Sequence, residues 1–191
     1  MLNFLGCSQR TNDNVPKFIR NANKSDIYKD VKGIVLEKDF SIVFFTRTHW
    51  SYGWYKIFAL KRDNWEKIEI LQNVIDTTEL KKDKEYSALR DIVTRRMCRP
   101  EEAHSFLKKL IELHFFDIEE EGEILDKCKA ILNNDVSPDP IDGPTFYLQI
   151  ISGNKVRSLK FYYPHSRLTK CPSMKEWKNL LDIEKLFETE W

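Results

Sequence analysis

The sequence predicts an α+β fold in a single domain: a mainly antiparallel sheet, made from an N-terminal meander and a late hairpin, with two main helices packed on one face. Three observations predict it. Segments rich in β-branched and aromatic residues recur at short spacing between residues 26 and 71, with turn residues between them. Apolar residues at helical spacing follow Pro100, and again follow Ser173. Between those two stretches, 145–163 alternates around Ser152-Gly153-Asn154 as a hairpin does.

The meander is read as follows. Residues 31–37 carry Ile34, Val35 and Leu36 as a first strand, closed by Lys38-Asp39. Residues 40–48 are β-branched and aromatic, which suits a pleated, half-buried surface. After a turn at 49–53, residues 54–61 alternate Trp54, Lys56, Phe58 and Leu60 against Tyr55, Ile57 and Ala59. Arg62-Asp63-Asn64 turns the chain into 65–71, where Ile68 and Ile70 alternate with charged residues. The polar segment 72–99 leaves two readings open, a helix over 86–97 or a strand from Ile92.

Residues 100–116 read as a helix. Pro100 suits the first helical position, and Glu101 and Glu102 suit the positive end of the dipole. Ala103, Phe106, Leu107, Leu110, Ile111 and His114 trace its apolar face. Glu119 to Gly122 reads as a solvated turn, 123–132 as a short helix, and 133–144 as a Pro-rich loop. The hairpin follows, then a loop over 164–172. Ser173 and Glu176 form a capping-box pattern before a final helix carrying Trp177, Leu180, Leu181, Ile183, Phe187 and Trp191. Residues 1–25 read as a flexible segment or tether, and 26–191 as the domain.

The composition supports a real core: 41% of residues are hydrophobic and 13% aromatic. The charge balance, 31 Lys+Arg against 30 Asp+Glu, argues against nucleic acid as a partner, because such binders show a basic excess. Cys7, Cys98, Cys128 and Cys171 fall in no zinc-ligand spacing, and no residue pattern calls for a metal or a cofactor. They leave open free thiols or one bridge, with Cys128 and Cys171 available to pair in an exported chain.

Candidate chemistry is sparse. His49, Trp50 and Tyr52 share a turn with Arg47 nearby, a set able to stack on and hydrogen-bond a planar or anionic ligand. The competing reading is a packed β-turn. Cys98 lies among Arg95, Arg96 and Arg99, which would lower a thiol's pKa, although such arginines more often form a salt-bridged face. Asp135, Asp139 and Asp142 have a looser spacing than a calcium loop. No catalytic residue is assigned.

At the N-terminus, Gly6-Cys7 ends a short apolar piece and a polar stretch follows. This layout resembles a bacterial lipoprotein signal, with Cys7 acylated and the polar linker as spacer. Only six residues precede Cys7 and none is basic, so the reading requires a start codon upstream of Met1. The C-terminal half adds Leu113-His114-Phe115-Phe116-Asp117-Ile118, then Asp142-Gly143-Pro144-Thr145, a hairpin ending Tyr162-Tyr163-Pro164, and a helix. In that order it resembles small, uncharacterised bacterial envelope proteins, often lipoproteins, with no assigned activity. The resemblance implies a lipid-anchored envelope location, a non-enzymatic binding or assembly role, and an unidentified protein partner, with the membrane touched only through Cys7. The alternative is a cytoplasmic interaction module, such as an immunity protein that neutralises a toxin; an enzyme is the third reading.

Overall fold

The computed structural model describes residues 27–47, 54–72, 92–133, 143–153 and 155–191. Its core is a six-stranded antiparallel sheet of β1 (Phe40–Arg47), β2 (Trp54–Lys61), β3 (Asn64–Leu71), β4 (Ile92–Met97), β5 (Thr145–Ser152) and β6 (Lys155–Tyr162). The strand order is β4-β3-β2-β1-β5-β6, so the meander and the hairpin join along β1 and β5. Among the described residues five helices accompany it: α1 (Lys29–Val35), α2 (Pro100–Glu112), α3 (Glu121–Ile131), α4 (Pro164–Lys170) and α5 (Lys175–Thr189). A 3-10 turn, Phe115–Asp117, links α2 to α3.

Alternation along the strands divides the core. Ile42 and Phe44 of β1, Phe58 of β2, Phe146 and Leu148 of β5 and Phe161 of β6 face α2, α3 and α5. From the helices come Phe106 and Leu110, Ile124, and Trp177, Ile183 and Phe187. This helical face carries most of the aromatic packing, including Phe44 stacked on Phe187 at 4.9 Å and Phe58 on Trp65 at 4.5 Å. The opposite face buries Val43, Phe45, Ile57 and Ile68 under α1, through Val31 and Val35. Each of these side chains, fully buried, contributes about 1.5–3 kcal/mol of apolar transfer free energy.

Three expectations need correction. The first strand of the meander, placed at 31–37, is α1. Val31, Ile34 and Val35 are β-branched, but they sit at i, i+3 and i+4, and that period bound Val31 and Val35 to one buried stripe. The loop placed at 164–172 contains α4. Tyr163 takes a left-handed conformation (φ 48) that breaks β6, and Pro164 then starts the helix at its first position. The capping box expected at Ser173 and Glu176 is absent, since Met174 precedes α5 with no side-chain cap. A reciprocal box instead opens α3, between Glu120, in the stretch read as a solvated turn, and Glu123, where the short helix was expected to begin. The open choice over 86–97 resolves as β4 from Ile92 onward.

Turn chemistry fixes the sheet's register. Arg62 and Asp63 both have positive φ, 49° and 65°, the pair that a two-residue hairpin turn demands between β2 and β3. A disulfide joins Cys128 of α3 to Cys171, between α4 and α5, with 6.0 Å between the Cα atoms. It ties the helical layer to itself over the β5–β6 side of the sheet.

Candidate functional site

Among the described residues, β4 is left uncovered. It is an edge strand, and all six of its residues are exposed. Ile92 is 56% exposed and Met97 61%, which is high for large apolar side chains within a sheet. Edge strands present main-chain donors and acceptors on their outer side, so they are either protected or used.

Two hollows flank this strand, one on each face. On the helical face a space of about 310 Å³ is lined by Trp54, Glu69, Leu71, Ile92 and Thr94. The Trp54 Nε1–H donates to Glu69 Oε1 at 2.7 Å, which fixes the indole across the sheet. Behind it lies Lys56, 3% exposed, with Nζ 3.9 Å from the centre of the Trp54 ring and donating to the Phe187 carbonyl at 2.7 Å. Burial pushes the Lys56 ammonium below its ordinary value, and the Glu69 and Glu188 carboxylates oppose that shift. Here a buried cation meets the negative end of α5, a favourable placement.

On the α1 face a space of about 340 Å³ is lined by Lys38, Lys61, Arg62, Asn64, Glu66 and Met97. Glu66 accepts from Lys38 and lies 3.8 Å from Arg95, while Lys61 is 3.7 Å from Glu37. Within the lining one carboxylate therefore faces three cations.

Between the hollows the arginines predicted around Cys98 are engaged. Arg96 grips Glu102 with both terminal nitrogens, at 2.9 and 2.6 Å. Lys67 reaches the same carboxylate at 2.9 Å and also donates to the Glu190 carbonyl. Arg96 first, then Lys67, holds the Glu102 carboxyl down at about 2. The arginines do not acidify Cys98: burial pushes its thiol up and Glu102 adds to the shift, outweighing Lys67 and Arg96. A thiol in that state is a poor nucleophile, and the salt-bridged reading holds for Arg95 and Arg96.

Of the residues proposed from sequence as a ligand site, Arg47 ends β1, exposed, opposite Thr145 of β5. The Tyr55 hydroxyl, which donates to Asp30 at 2.6 Å, feels its charge. His49, Trp50 and Tyr52 lie outside the described residues, as do Cys7 and the aspartates 135, 139 and 142. His104 and His114 are exposed; His165 of α4 sits 3.3 Å from Glu184 of α5. Burial, with the nearby Glu188, pushes the Glu184 carboxyl up to about 7. Among the described residues no three His, Cys, Asp or Glu side chains gather as a metal site would require.

Trp54, Lys38 and Lys61 are not legible as neighbours of β4 in the sequence, because the sheet's register brings them there from two separate segments, the two ends of β2 and the residues before β1. A local signal did exist: Ile92-Val93-Thr94 followed by Arg95-Arg96 is the mix of β-branched and charged residues found on strand edges. Comparison with protein-family models and with curated proteins finds no match to this chain.

Proposed function

We propose that this protein is a non-enzymatic binding domain of the bacterial cell envelope, tethered to the membrane by a lipid on Cys7. The observation that carries the reading is the Cys128–Cys171 disulfide. Both residues are buried, and such bridges form and persist in oxidising compartments, while cytosolic reductants keep thiols reduced. No helix among the described residues is long and apolar enough to cross a membrane, so the tether rests on Cys7 alone in this reading. Binding, in place of catalysis, is supported by where the unusual surface lies: exposed apolar side chains line an edge strand, while the Cys98 thiol is held neutral and Arg95 and Arg96 are paired with carboxylates.

The test is mass spectrometry of the protein from its native cell, with free thiols alkylated before any reduction. An acylated Cys7 at the mature N-terminus, with Cys128 and Cys171 protected from alkylation, is the expected result. A chain starting at Met1 with an unmodified Cys7 and alkylated Cys128 and Cys171 overturns it. That outcome would move the protein to the second reading, a cytoplasmic interaction module of the toxin-neutralising kind. The exposed edge of β4 suits that reading equally well.

A further inference from the structure

We infer that β4 is a docking strand for an extended, acidic segment of a partner protein, which adds to the sheet as a seventh strand. The inference names the partner's chemistry for the binding role proposed above and rests on that reading. No described strand pairs with the outer side of β4, and the sheet is antiparallel at every junction. An added antiparallel segment continues that alternation, its main chain bonding to the edge and its side chains pointing by turns to the two faces.

The two hollows are set where such side chains arrive. Ile92 and Thr94 border the Trp54 hollow on the helical face, at the start of β4. Met97 borders the basic hollow on the α1 face, at its end. In an antiparallel pair, directly opposite residues share a face. A partner residue opposite Met97 therefore points toward Lys38, Lys61 and Arg62, and residues opposite Thr94 and Ile92 point toward Trp54 and Leu71. The basic hollow selects a carboxylate, since its lining holds three cations to one glutamate, with Glu37 reaching only Lys61 from outside it; the Trp54 hollow selects an apolar or aromatic group. Because the partner runs from Met97 toward Ile92, its acidic residue precedes the apolar ones by roughly three and five positions.

A second copy of this chain fits less well. Pairing β4 with itself would gather Arg95 and Arg96 of both copies in one short seam, and would bring no new carboxylate to either basic hollow, since β4 carries none.

The experiment uses the full chain and two synthetic decapeptides of high β-propensity. One carries Glu followed by Val and Tyr at the spacings above; the other has Lys in place of Glu. Calorimetric titration and amide hydrogen exchange are read together. The expected result is at least about tenfold tighter binding of the Glu peptide, the size of one good charge contact, with slowed exchange across 92–97. Lys61→Glu combined with Arg62→Asp should abolish or reverse the preference while the circular dichroism stays unchanged. Equal binding of the two peptides, or binding without protection of β4, overturns the proposal. So does protection without peptide of the β4 amides that face away from β3, whether in a dimer, which makes a second copy the occupant, or in a monomer, which makes the chain its own cover. These results are separable from the test of compartment. Failure of the peptides with Cys7 acylated and the disulfide intact removes only the docking surface. Peptide binding by a protein whose cysteines are reduced in the cell removes only the envelope.

Discussion

The ring of Tyr163 occupies the space where a β-carbon on Gly143 would lie. The two residues come from opposite ends of the β5–β6 hairpin, and the Tyr163 N–H donates to the Pro144 carbonyl at 2.8 Å. Tyr163 is itself held in a left-handed conformation, so its ring has little freedom to withdraw. Gly143→Ala should therefore destabilise the protein by about 1–3 kcal/mol, the range for forced overpacking. Chemical denaturation of the single variants and of a Gly143→Ala, Tyr163→Ala double variant checks this. The double variant should lose less than the sum of the single changes.

Cys128→Ser with Cys171→Ser should cost about 4 kcal/mol, given the 43-residue separation that the bridge closes. The measurement is the shift in urea midpoint between the variant and the oxidised parent. A reductant should lower the parent to the variant's midpoint and leave the variant where it is.

Glu184 makes stability fall as pH rises. A carboxyl raised from 4.5 to about 7 binds its proton more tightly in the folded chain. Its stabilising contribution is complete below pH 4.5 and is lost as pH climbs through about 7. Glu184→Gln keeps the shape and removes the titration. Because the side chain retains solvent contact, the gain at pH 8 relative to the parent should be about 1 kcal/mol, with none at pH 4. Thermal melts across that range read it directly. An unchanged difference between the two proteins at both ends would remove the assignment.

Glu102 acts in the opposite sense. Held down at about 2 by Arg96 and Lys67, it contributes stability above pH 4.5 that is lost as pH falls toward 2. Lys67→Met should cost about 1–3 kcal/mol at neutral pH, since it leaves the Glu190 carbonyl short of a donor. It should also shrink the acid-induced loss, because Glu102 then keeps Arg96 alone. Stability measured at pH 7 and at pH 3 in both proteins separates the two effects.

Much of this fold was legible from local pattern. The hairpin around Ser152-Gly153-Asn154 and the strands from Phe40 to Leu71 declared themselves through alternation, and Pro100 marked the start of α2. What escaped was decided by tertiary context. Val31 and Val35 look like strand residues until the sheet offers them a face to bury against. The candidate site was less legible still. Lys38, Arg62 and Met97 share a hollow only because β3 lies between β2 and β4. A salt-bridged role for the arginines near Cys98 was legible, but not the partner, because the sequence does not show Glu102 folding back onto Arg96.

The position of β1 has a consequence for how the chain is made. Its neighbour on one side, β2, follows at once, but its neighbour on the other, β5, lies roughly a hundred residues further along. During synthesis β1 to β3 therefore emerge as a ribbon whose β1 edge, with Ile42, Phe44 and Phe45, has no cover until the hairpin is translated. A nascent chain with that edge exposed is a natural client for chaperones. In an exported protein, the same delay in closing the sheet keeps the chain loose enough to be threaded across a membrane before it folds.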